Sequence, residues 1–172
     1  MLAACGDDAP TALPDGDEVR AIVRTCETAA HGMNPEFGRL TSANPAAAIV
    51  FVNPQASEQT DPRYYEPLGD GRFHPIKVLV GVATGSIVTV TVPEPERDRV
   101  ALLYDAPRAD STDGRYTMAD GEVQVTFEAC DDPDTGFPGY FLVAGPRCVE
   151  LEVQLGNDVD RIFLPFGISD CR

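Results

Sequence analysis

Cys148-Val149-Glu150-Leu151-Glu152-Val153-Gln154-Leu155 alternates strictly: Val149, Leu151, Val153 and Leu155 fall on one side, Glu150, Glu152 and Gln154 on the other. Side chains on a strand alternate between two faces, so this octet predicts a strand with one dry face and one wet face. Residues 122–128 repeat the pattern, with Val123, Val125 and Phe127 opposed to Glu122, Gln124 and Thr126. Residues 86–92 do so again, with Val88, Val90 and Val92 against Thr89 and Thr91. Such half-wet strands belong to antiparallel sheets. Ile76-Lys77-Val78-Leu79-Val80-Gly81-Val82 is apolar on both sides apart from Lys77, which predicts a central strand.

Runs at residues 19–27, 47–53, 100–104, 140–144 and 161–166 bring the expected strands to nine. Residues 19–26 also carry helical spacing (Val19, Ile22, Val23, Cys26), but the β-branched Val19, Ile22, Val23 and Thr25 favour a strand. Ala83-Thr84-Gly85-Ser86 reads as a hairpin turn, and Gly156-Asn157-Asp158 as a second. Asn34-Pro35, Asn44-Pro45 and Asn53-Pro54 initiate further turns. The expected fold is an all-β, immunoglobulin-like two-sheet antiparallel sandwich of eight to nine strands, stapled by disulfides. The Cys…Trp…Cys signature of true immunoglobulin domains is absent, because the chain has no Trp.

The chain has 172 residues, enough for one domain. Hydrophobic residues make up 43%, which supplies a core and argues against wholesale disorder. Thirteen Lys and Arg against 28 Asp and Glu give a net charge of −15. That balance excludes nucleic acid as a partner, since little could displace the counterions of a phosphate backbone. It also excludes docking on anionic lipid through a polybasic patch. No apolar run approaches the roughly 20 residues of a membrane helix.

The chain begins Met1-Leu2-Ala3-Ala4-Cys5-Gly6-Asp7-Asp8. Leu2-Ala3-Ala4-Cys5 resembles the lipobox of bacterial lipoproteins. The resemblance implies a diacylglyceryl group on Cys5, cleavage just before it, and a membrane attachment through that lipid alone. Residues 1–17 then read as lipobox remnant and flexible tether, and residues 18–172 as a single sandwich domain. The basic and apolar regions of a signal peptide do not precede the motif, so an earlier start codon or a trimmed chain is expected.

With Cys5 set aside, Cys26, Cys130, Cys148 and Cys171 remain, an even number without C-x-x-C spacing. This favours disulfides and an oxidising compartment over a zinc or thioredoxin-like site. Cys130 ends one strand-like run and Cys148 begins another after a loop rich in Gly and Pro, so the expected pairs are Cys130–Cys148 and, by elimination, Cys26–Cys171.

Chemistry is sparse. None of Ser42, Ser57, Ser86, Ser111 and Ser169 sits in a G-x-S-x-G elbow. His31 and His74 read as loop and strand-entrance residues. Asp131, Asp132 and Asp134 concentrate oxygen ligands that suit calcium, as do Asp105, Asp110, Asp113 and Asp120, although neither group has calcium-loop spacing. Tyr64 and Tyr65, adjacent in an aperiodic stretch, are candidates for a contact surface. Lys77 is expected at an edge, snorkelling to water, or paired with a carboxylate, Glu150 or Glu152 being available if their strand neighbours it. The leading expectation is an extracytoplasmic, lipid-anchored, non-catalytic module that binds a protein or glycan of the cell envelope or has a structural role there. A secreted carboxylate-using hydrolase and a calcium-dependent adhesion-like domain are the alternatives.

Overall fold

Among the described residues nine strands form in the order read from the sequence: β1 Ala21–Arg24, β2 Ile49–Val52, β3 Ile76–Val82, β4 Ile87–Thr91, β5 Val100–Leu103, β6 Gln124–Glu128, β7 Gly136–Val143, β8 Arg147–Leu155 and β9 Asp158–Phe166. The computed structural model describes residues 20–31, 40–52, 61–105, 114–131 and 136–171. The strands make two sheets, β1-β6-β4-β8-β9 and β2-β3-β7-β5. All ladders are antiparallel except that of β1 with β6. The architecture is an all-β sandwich.

The faces follow the alternation. Val149, Leu151 and Val153 of β8 are fully buried, as are Val88 and Val125 of the strands beyond it in the same sheet. They meet Ile76, Val78, Val80, Phe141 and Val143 of the opposite sheet in one core. β3 is central in its sheet, between β2 and β7, and is buried along its length except at the half-buried Lys77. A smaller core forms on the other face of β5 and β7, where Ala101, Leu103 and Leu142 pack against Phe73 and Tyr116. Phe73 and Tyr116 exchange backbone hydrogen bonds of 2.7 and 3.1 Å, which holds this outer cover in place.

Residues 83–86 do close a turn, with the Ser86 N–H donating to the Ala83 carbonyl at 3.0 Å and Gly85 at a φ of 68°. The turn is not a hairpin, however. β3 pairs with β2 and β7, whereas β4 pairs with β6 and β8, so the chain arches from one sheet to the other. The second expected hairpin is present: Leu155 pairs with Asp158, and Gly156 takes a φ of 61° at the first turn position, as a two-residue loop of this hand demands.

The disulfides correct the expected pairing. The bonds are Cys26–Cys130 and Cys148–Cys171. β6 and β8 both run antiparallel to β4, which lies between them, so the end of β6 and the start of β8 are at opposite ends of the sheet. Cys130 therefore cannot reach Cys148. The parallel register of β1 on β6, with Arg24 opposite Phe127, delivers Cys26 beside Cys130. The β8–β9 hairpin returns the chain to the start of β8, where Cys171 meets Cys148.

Tyr104, just after β5, occupies the centre of the core. Its ring makes edge-to-face contacts with Phe127 at 5.1 Å and Phe141 at 6.4 Å. That position exists because residue 139 is a glycine: a Cβ there would lie 2.3 Å from Tyr104 Cδ1. Gly139→Val is expected to cost at least about 2 kcal/mol of stability through overpacking. The urea midpoint should fall with an unchanged m value, and a variant as stable as the parent would contradict the packing described.

Candidate functional site

The β3–β4 arch and the β8–β9 hairpin lie at one end of the sandwich, since Val88 pairs with Leu155 and brings the residues beyond each strand end together. With Ser42 from the turn ahead of β2, they line an open cleft of about 700 Å³. Its polar lining is Ser42, Thr84, Ser86, Asn157 and Asp158, and Ile87 adds an exposed apolar side chain. The cleft is shallow and largely open to solvent. Hydroxyls, one amide and one carboxylate can orient a polar ligand by hydrogen bonds. The lining residues include no imidazole.

A second polar group lies inside the molecule. Arg24 ends β1 pointing into the sandwich and is 6% exposed. Its Nη2 donates to the Thr28 carbonyl at 2.8 Å, its Nε to Thr28 Oγ1 at 2.9 Å, and its Nη1 to the Tyr104 carbonyl. The Tyr104 N–H donates to Glu122 Oε2 at 3.1 Å, and the Tyr104 hydroxyl to the Val78 carbonyl at 3.1 Å. Burial lowers the pKa of the Arg24 guanidinium, and Tyr104, Asp105 and Glu122 partly offset that effect. Burial pushes the Tyr104 phenol well above its ordinary value. The group ties β1 to β5 and to the approach of β6.

Glu122 was expected on the wet face with Gln124 and Thr126, yet it is 1% exposed. β6 starts only at Gln124, and Glu122 instead exchanges backbone hydrogen bonds with Leu102 at 2.9 and 2.6 Å. Sequence reasoning missed both Arg24 and Glu122. The one available signal was a cation at the end of an otherwise apolar β1.

The other expected site residues scatter. Tyr65 is 2% exposed and belongs to the main core, where its carbonyl accepts from the Gly145 N–H at 2.8 Å. It covers the end of the core opposite the cleft and is not a contact surface. Tyr64 is half-buried, with its ring 6.0 Å from that of His74. Asp131 is exposed, while Asp132 and Asp134 lie outside the described residues, as do Asp110, Asp113 and Cys5. Asp120 accepts from the Thr117 N–H and hydroxyl, both at 2.7 Å, and so fixes a 3-10 turn. Among the described residues no three His, Cys, Asp or Glu side chains form a group able to hold a metal. Lys77 stands on the sheet opposite β8, so Glu150 and Glu152 are not its neighbours. Those two carboxylates flank Arg161, at 3.0 and 3.4 Å. His31 is exposed, on the segment after β1.

Removing one charge from a buried polar group leaves the rest uncompensated. Arg24→Ala is expected to destabilise the fold by about 3 kcal/mol. Combining it with Glu122→Gln should cost less than the sum of the two single changes, a non-additivity that a double-mutant cycle in urea measures. Strict additivity would mean that Arg24 and Glu122 do not interact. Comparison of the chain with protein-family models, with curated proteins and with solved structures finds no match.

Proposed function

We propose that the protein is an extracytoplasmic module, anchored through a lipid on Cys5, that binds a component of the cell envelope and carries out no catalysis. The observation that carries this reading is the use of cysteine. Cys26–Cys130 and Cys148–Cys171 engage every cysteine downstream of Cys5, and two disulfides in a small domain fit an oxidising location. The one cysteine outside these bridges is the one in the lipobox-like Leu2-Ala3-Ala4-Cys5. β1 starts at Ala21, sixteen residues beyond Cys5. A chain of that length reaches about 55 Å at most, so the sandwich can stand clear of a membrane surface. Binding is supported by the polar cleft between the β3–β4 arch and the β8–β9 hairpin.

The test is mass spectrometry without reduction on protein expressed from its own locus. The expected result is a lipid-modified N-terminal Cys5 together with linked Cys26–Cys130 and Cys148–Cys171 peptides. Cys5→Ser should then move the protein from the membrane fraction to the soluble fraction with both bridges intact. An unmodified N-terminus with four free thiols would overturn both the location and the anchor.

A further inference from the structure

β9 is a nine-residue edge strand, paired with β8 along its whole length and with no other strand among the described residues. The other outer strands, β1, β2 and β5, have four residues each. Leu155 and Asp158 flank a two-residue turn and so form a hydrogen-bonded pair, after which bonded and non-bonded pairs alternate. Val159, Arg161 and Phe163 therefore direct their N–H and C=O groups away from β8, toward the open edge. The same three side chains stand on the outer face of the sheet, where Val159 is 55% and Phe163 54% exposed.

Natural edge strands are protected by cations, prolines or shortness. Here Pro165 blunts only the far end, and the one cation is neutralised by Glu150 and Glu152. Glu150 and Glu152 of β8 share the outer face with Arg161, whereas Asp158 and Asp160 of β9 stand on the opposite face, Asp160 Oδ2 accepting from the Ala46 N–H at 3.3 Å. The edge thus offers unpaired backbone groups, two apolar side chains and an excess of carboxylates on a chain of net charge −15.

We infer that β9 binds an extended peptide segment, added as a further strand, whose side chains alternate between basic and apolar. Backbone hydrogen bonds supply the affinity in such strand addition, and alternate side chains the specificity. Basic residues on one face of the added strand would meet Asp158 and Asp160 of β9, and apolar ones on the other face Val159 and Phe163. A second copy of the chain is disfavoured by the same charge, since two acidic edges repel and the symmetric register that sets Val159 on Phe163 also sets Arg161 against Arg161. The inference rests on the binding role proposed above and specifies its surface.

The probe is a labelled nine-residue peptide alternating Lys with Val or Ile, titrated into the full chain and followed by fluorescence anisotropy. An acidic version replaces Lys with Glu, and a third version is N-methylated at alternate residues. Only the unmethylated Lys peptide should bind, and Phe163→Ser, a surface change, should weaken it about tenfold or more. Amide exchange should slow at Val159, Arg161 and Phe163 but not at the intervening residues of β9. Absence of binding, equal binding of the methylated peptide, or indifference to Phe163→Ser would each overturn the inference. So would sedimentation of the free chain as a dimer that Phe163→Ser dissociates, which would assign the edge to a second copy. None of these outcomes bears on the lipid or the disulfides, so the cellular location stands or falls separately.

Discussion

Tyr104 engages every group it has. Its ring lies between Phe127 of one sheet and Phe141 of the other, in the space that Gly139 leaves. Its hydroxyl satisfies the Val78 carbonyl, its N–H meets Glu122, and its own carbonyl receives Arg24. Sandwiches are held mainly by non-directional burial, which fixes the distance between sheets better than their relative orientation. A directional anchor adds orientation. Because Arg24 comes from β1 and Glu122 from the approach to β6, the parallel pairing at the sheet margin is tied to the same tyrosine. Cys26 and Cys130 are brought together a few residues beyond that point.

The bridges act on different ends of the molecule. Cys26–Cys130 spans 104 positions and Cys148–Cys171 spans 23. By chain entropy alone a long loop of this kind is worth about 5 kcal/mol and a short one about 3. The long bridge fastens a four-residue strand that has little burial of its own. Ile22 is only partly buried against the core and Val23 is exposed. The short bridge closes the end where Tyr65, Gly145 and Gly167 crowd together. A chain of −15 repels itself when compact, and cross-links that constrain its unfolded state offset part of that repulsion.

Period-two alternation identifies which side of a strand is wet, and that is local information. Three strands were legible for that reason and the rest as short apolar runs between turns, and residues 149–155 needed no correction beyond one flanking position. Alternation says nothing about which strand lies beside which. The arch at Gly85 has the same turn residues as a hairpin would, and only the non-local pairing of β4 with β6 and β8 separates the two. The disulfide pairing failed for the same reason, since adjacency in sequence was taken for adjacency in space. Glu122 was misplaced because it lies just ahead of β6, and Tyr65 because it caps a 3-10 turn in an aperiodic stretch; no period assigns a face at either position. The cleft gathers its lining from three separate connections and has no sequence motif at all.

The length of β9 is a requirement of the core. Its inward side carries Ile162, Leu164 and Phe166, all packed against the main cluster, with Phe166 stacked on Phe141 at 5.2 Å. A shorter strand would uncover the flank of β8 and leave the second disulfide without the return path that brings Cys171 to Cys148. The alternation that buries these residues turns Val159, Arg161 and Phe163 outward, to the sheet face and to the open edge together. Shortness protects β1, β2 and β5, and the Leu102–Glu122 bridge also covers β5. β9 can use neither device without loss of core. What remains is charge, and the carboxylates around it discourage another acidic strand while leaving the edge open to a basic one.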